Sequence, residues 1–176
     1  MSLSKKQAIL SAKKGLGPSK DPLLIAAQTV GRSARLIGIR LIGGSFSRAT
    51  APDAARKPTS TSEIEIHVQR NGNQLSVQLV WAFDSGLKGV EPVALLVHVG
   101  ATYLLQYELN PEMKFTDVQA DAFARINGLL NSWPYWREHL QTTLLRMELP
   151  PLTLPLLKAD QALEIVKSAQ PAARKR

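Results

Sequence analysis

With 176 residues, 44% of them hydrophobic, the chain is long enough to bury one substantial core, and the absence of cysteine excludes disulfides, thiolate nucleophiles and cysteine-ligated zinc or iron–sulfur sites. The net charge of +8 lies in the tails: Lys5, Lys6, Lys13, Lys14 and Lys20 precede the first acid, Asp21, and Arg174, Lys175 and Arg176 end the sequence, so residues 21–170 balance at zero. A folded nucleic-acid reader would carry its positive stripe on the domain, so the charge reads as solvation of the tails and nucleic acid is not the expected partner.

Residues 1–21 mix Lys, Ser, Gly and Pro, and Gly15-Leu16-Gly17-Pro18 would stop a helix begun near Ser4; this is a basic, flexible N-terminal extension. Gly15 to Lys20 lacks the G-x-x-x-x-G-K-[ST] spacing of a phosphate loop. The acid-free start also suits an organelle transit segment, but Arg is missing before Arg32, which favours a cytoplasmic protein. Leu23 to Ala27, broken at Gln28, is too short for a signal peptide or a membrane span, so no membrane insertion is expected.

Residues 22–169 form the expected domain. Pro22 to Val30 predicts a short helix packed on it, and Ala34 to Phe46 a first strand. Ser47 to Ser62, with Pro52 and Pro58, reads as a crossover loop and not a hairpin turn. From Glu63, Ile64, Ile66 and Val68 share one face of a second strand; Asn71-Gly72 supplies the positive φ angles of a tight hairpin; Leu75, Val77, Leu79, Trp81 and Phe83 continue the alternation in a third. A turn over Ser85 to Gly89 leads to Val93–Tyr107, apolar on nearly both faces, as expected of a strand covered on each side.

After Asn110-Pro111 the period changes. Val118, Ala122, Ile126, Leu129 and Leu130 predict a helix over Asp117–Asn131, weakened near its end by Gly128, and a second helix starts at Ser132 to Pro134 and runs to Met147. Pro150, Pro151 and Pro155 force Leu149 to Leu157 into an extended apolar linker, and Lys158 to Ala169 returns to helix before Pro171. Residues 170–176 are a basic C-terminal tail.

His67, His98 and His139 fall on different elements without the spacing of a metal site or of a nucleophile's base, and Gly43-Gly44-Ser45 lacks a G-x-S-x-G frame. Neither a catalytic residue nor a metal or cofactor is expected, and the chain reads as a non-enzyme.

Trp133-Pro134-Tyr135-Trp136-Arg137-Glu138, followed by Arg146, Leu149, Pro150, Leu152 and Leu154, resembles the SecB family of export chaperones, which start their long helix with an aromatic and Pro-Tyr-x-Arg-Glu and follow it with proline and alternating leucines. The resemblance extends by pattern over Ala34 to Val166. It implies an α+β domain with a four-stranded antiparallel sheet, helices packed on one face and long C-terminal helices. It further implies an ATP-independent holdase for unfolded polypeptides, assembled as a dimer or a dimer of dimers through long helices and a sheet edge. Three departures stand out: Met147 replaces a common glycine, the later linker proline is displaced, and the acidic surface that meets the SecA motor is missing. The last makes SecA a poor partner by Coulomb reasoning. A paralogue outside the main export route follows, of the kind that accompanies toxin–antitoxin modules among others. The alternative is a dedicated protein–protein adaptor or structural subunit that reuses the fold.

The stripe Trp133, Trp136, Leu140, Leu144 and Met147 shares one helix face and serves either the core or an oligomer interface. An extended segment buries leucines less completely than a helix does, so Leu149, Leu152, Leu154 and Leu156, with Phe46 at the end of the first strand, are the candidate polypeptide-binding residues.

Overall fold

The computed structural model describes residues 21–49, 59–87 and 94–169. Residues 1–20, 50–58, 88–93 and 170–176, and with them most of the expected tails and crossover loop and part of the expected turn, lie outside the described residues. Ser47, Arg48 and Thr59 to Ser62, expected in the loop, and Ser85 to Leu87, expected in the turn, are strand instead. Helix α1 (Pro22–Gly31) has proline in its first turn, and the Asp21 carboxylate caps it by accepting from the Leu23 amide at 2.9 Å. Leu24, Ala27 and Val30 are its buried side. Strands β1 (Arg35–Arg48), β2 (Thr59–Asn71), β3 (Gln74–Leu87) and β4 (Ala94–Glu108) form one antiparallel sheet in the order β1-β4-β3-β2. The first two strands therefore lie at opposite edges, the placement that a crossover demands.

The β2–β3 hairpin differs by one residue from the sequence expectation. Asn71 still pairs with Gln74, so the turn is Gly72-Asn73, and Gly72 alone supplies a left-handed backbone, at φ +59°. Along β3, Leu75, Val77, Leu79, Trp81 and Phe83 are buried against the helices, and β4 contributes Val97, Val99, Ala101, Tyr103, Leu105 and Tyr107 to the same face. The expectation that β4 is covered on both faces is not met among the described residues. Its alternate positions, such as Leu96, His98 and Leu104, are half-buried by neighbouring strands, not by a second layer of helices. A strand inside a sheet, carrying small residues such as Gly100 and Ala101, can read as apolar on both sides without being sandwiched.

The two helices predicted from the sequence are one. Helix α2 spans Asp117–Arg146, 30 residues and about 45 Å. Thr116 and Gln119 close a reciprocal capping box at its start. Pro134 sits inside it on an exposed side, where the carbonyl that loses its partner can face water. Gly128 is a contact point and not a weak end, since a Cβ there would meet Val77 Cγ1 at 3.0 Å. Helix α3 (Ala159–Ala169) buries Ala162, Leu163 and Val166. Lys167 Nζ reaches Asp21 Oδ2 at 2.9 Å, tying α3 to the cap of α1 and holding that carboxyl below its ordinary pKa. One core runs from Leu24 through the sheet and α2 to Val166. Among the described residues no helix is long and apolar enough to cross a membrane.

Candidate polypeptide-binding groove

The site begins where α2 ends. The Glu148 amide donates to the Leu145 carbonyl and the Leu149 amide to that of Leu144, both at 3.0 Å, which is the paired closure of a Schellman turn. Glu148 occupies its left-handed position at φ +57°. The Arg48 guanidinium donates to the Met147 carbonyl, so the end of β1 fastens the helix terminus. From this turn the prolines keep Leu149 to Leu157 extended, and Trp133 Nε1 donates to the Pro155 carbonyl at 2.9 Å. Leu149, Leu154 and Leu157 are half-buried against the core, whereas Leu152 is 36% and Leu156 73% exposed.

A groove of about 630 Å³ opens between this segment and the ends of β1, β3 and β4. Phe83, Val97 and Leu144 supply apolar lining from the sheet and α2, and Leu149, Pro150 and Leu152 from the extended segment, while Arg48 at the end of β1 and Ala49 after it complete the rim. Beside it is a cleft of about 520 Å³ lined by Phe46, Ser47, Arg48, Arg146, Met147 and Glu148. Arg48 belongs to both, so the two depressions meet at a guanidinium flanked by apolar walls. Exposed apolar surface of this kind suits an extended peptide, each Å² removed from water contributing about 25 cal/mol.

Of the five residues singled out for client contact, Leu149 and Leu152 line the groove and Phe46, 70% exposed, lines the adjoining cleft. Leu154 packs against the core and Leu156 projects outward; neither lines the two cavities. In the stripe, Trp136, Leu140, Leu144 and Met147 are buried within the single chain and Trp133 is half-buried. Trp81 stacks on Trp136 at 5.7 Å between ring centroids and tilts against Trp133 at 5.3 Å. The stripe is therefore core packing in this chain.

Sequence reasoning missed two arrangements. Arg48, at a strand terminus, carried no local signal, and its role appears once β1 and the end of α2 are adjacent. The second is on the opposite sheet face: Ser45 Oγ lies 2.9 Å from His98 Nε2, and His98 Nδ1 lies 2.7 Å from Asp84 Oδ1. The three residues stand on β1, β3 and β4, so only the pairing register reveals them. Among the described residues no cluster of three or more metal-ligating side chains occurs.

No protein-family model matches the chain, and no curated protein matches it. Among solved structures it is similar to the Mycobacterium tuberculosis SecB-like chaperone Rv1957, solved in complex with a ChAD peptide from the HigA1 antitoxin. The TM-score is 0.66 at 21% identity, over 76% of this chain and 97% of that one. A Streptococcus agalactiae protein of unknown function aligns at a TM-score of 0.36 and 9% identity, over 70% of this chain and 97% of that one. The four-stranded antiparallel sheet with its helices on one face, and the extent of the first of these likenesses, identify the architecture as that of a SecB-like chaperone.

Proposed function

We propose that the protein is an ATP-independent holdase that binds unfolded or non-native polypeptides along the groove and cleft that meet at Arg48. The observation that carries this reading is the apolar groove beside the extended Leu149–Leu157 segment, on a fold whose solved relative is bound to an antitoxin peptide. Leu149, Leu152 and Phe46 provide sequence-independent apolar contact. Arg48 and Arg146 provide donors for client carbonyls or carboxylates, with Glu148 limiting the local positive charge. Leu156 offers further apolar surface outside the groove, and Leu154 supports the segment from beneath.

Clients are released by mass action or transfer, since the sequence carries no nucleotide motif. The working site is the cytoplasm, in export or beside a toxin–antitoxin pair, with SecA a poor partner for a domain of balanced charge. A homo-oligomer, dimer or dimer of dimers, is supported by the row of apolar residues on edge strand β1. Leu36, Ile37, Leu41 and Ile42 are each at least 40% exposed, and Ile37 and Ile42 stand where the β1–β4 register shifts.

The test is suppression of aggregation of a chemically unfolded client, with and without ATP, together with light scattering for particle mass. Suppression independent of ATP by a particle heavier than the 19.3 kDa chain is expected. Failure with every unfolded client would favour a dedicated adaptor, and a requirement for ATP would overturn the passive mechanism.

A further inference from the structure

Ser45, Asp84 and His98 occupy the sheet face away from the helices. In the register, Asp84 is directly opposite His98, and Ser45 is opposite Gly100, one step diagonal to the histidine. An ionised carboxylate only accepts hydrogen bonds, so the 2.7 Å contact with Asp84 places the imidazole proton on Nδ1. In the neutral ring Nε2 then holds the free lone pair, and the Ser45 hydroxyl, 2.9 Å away, donates to it. The order hydroxyl, imidazole, carboxylate is that of a serine nucleophile with its base and the group that orients the base.

The backbone around the hydroxyl is bare. A Cβ at Gly100 would stand 2.6 Å from Ser45 Oγ and 3.2 Å from His98 Nε2, so glycine is what lets the two meet. Gly43, two residues before Ser45 and opposite Thr102, leaves the other flank open. Ser45 itself is exposed, while the His98 and Asp84 side chains keep 29% and 32% of their accessibility. The nearest residues on this face, Ser47 opposite His98, Ala82 opposite Gly100 and Thr102 opposite Gly43, are uncharged.

We propose that Ser45 is a nucleophile that accepts the acyl group of an activated, uncharged ester or thioester, with His98 as its general base and Asp84 as the positioning residue. Ser45 Oγ bonds to the acyl carbon as the bond to the leaving oxygen or sulfur breaks. The serine proton passes to His98 Nε2 and from there to the leaving group, giving acyl-serine and a free alcohol or thiol. Amide N–H groups of a sheet lie in its plane, and those of β3 and β4 are used in their ladders, so none is aimed at an oxyanion above Ser45. One such donor is worth about 10²–10³ in rate, and its lack makes this a slow acceptor that is modified once, not a hydrolase that turns over rapidly. The inference is independent of client binding, because the groove is on the helix side of the sheet.

The experiment is to incubate the full chain with p-nitrophenyl acetate, follow p-nitrophenolate release, and map acetylation by peptide mass spectrometry with the other serines as internal controls. Acetyl-Ser45 in clear excess over the other serines is expected. Ser45→Ala should remove that label and its share of the burst, and His98→Ala should slow it by about a hundred-fold or more. His98→Gln, which keeps a hydrogen-bonding side chain that takes up no proton, should behave the same, guarding against a misfolded alanine variant. Asp84→Asn should slow acetylation with circular dichroism unchanged, and the ¹⁵N spectrum of His98 should show the proton moved from Nδ1 towards Nε2. Absence of acetyl-Ser45, or its formation at wild-type rate in both His98 variants, would overturn the proposal.

Discussion

The indole N–H of Trp133 donates to the carbonyl oxygen of Pro155 at 2.9 Å, joining the second half of α2 to the segment that follows it. That segment forms no strand with the sheet, so a side chain substitutes for the ladder that would otherwise hold it. Trp133→Phe keeps most of the ring packed on Trp81 but leaves the carbonyl without this donor. It should cost about 1 kcal/mol in urea denaturation and increase proteolysis within residues 149–157. Unchanged proteolysis would mean that packing of Leu154 and Leu157 holds the segment unaided.

Leu152 and Leu154, two residues apart, differ in what they touch, and their substitutions should separate function from folding. Leu152→Ser, at the groove wall, should weaken aggregation suppression several-fold while shifting stability by less than about 1 kcal/mol. Leu154→Ser, packed against the core, should lower stability by about 1–2 kcal/mol with less effect on client binding. Equal loss of stability in both variants, measured by thermal denaturation, would place Leu152 in the core and remove it from the groove.

Glu148 holds the left-handed position at the end of α2, a geometry that costs a residue with a Cβ about 1 kcal/mol or more. Glu148→Gly should therefore raise stability by roughly that amount, which the urea midpoint would show. A loss instead would reveal an attractive contact of the carboxylate with the neighbouring Arg48 or Arg146 side chains.

Gly128 presents the opposite case. Alanine would gain about 1 kcal/mol of helix propensity, but its methyl would press on Val77, which is fully buried and has little room to move. Gly128→Ala is expected to lower stability by about 1 kcal/mol net. Val77→Ala added to it should restore part of the loss, a coupling that a double-mutant cycle measures.

The strands were legible because each half-buried face repeats every second residue: Ile64, Ile66 and Val68 answer Trp81, Leu79 and Val77 in the observed register. Helix α2 was misread as two because a proline signals a helix start from composition alone, whereas its tolerance inside a helix depends on which side faces solvent. The groove was partly legible. The prolines announced an extended segment, but which of its leucines turn inward depends on the Schellman turn at Glu148 and the bond from Trp133. The Ser45–His98–Asp84 chain was not legible at all, since its members are 14 and 53 residues apart in sequence and local spacing carries no record of β1 lying beside β4. Reading the histidines one by one gave them no role.

The sheet order carries a consequence for how the molecule assembles. β2, β3 and β4 are successive neighbours that can pair as they emerge, but β1 must wait for β4, and Arg35 meets Glu108 across 73 intervening steps of chain. The strand made first is thus the last that can be placed, and closing so long a loop before any contact rewards it slows that step. Until then Leu36, Ile37, Leu41 and Ile42 stand unpaired in a nascent chain, so a protein read as a guardian of unfolded segments passes through a stage in which it resembles its own clients. Pulse-labelled amide exchange during refolding should find β1 protected after β3 and β4, and protection of β1 first would reverse this order.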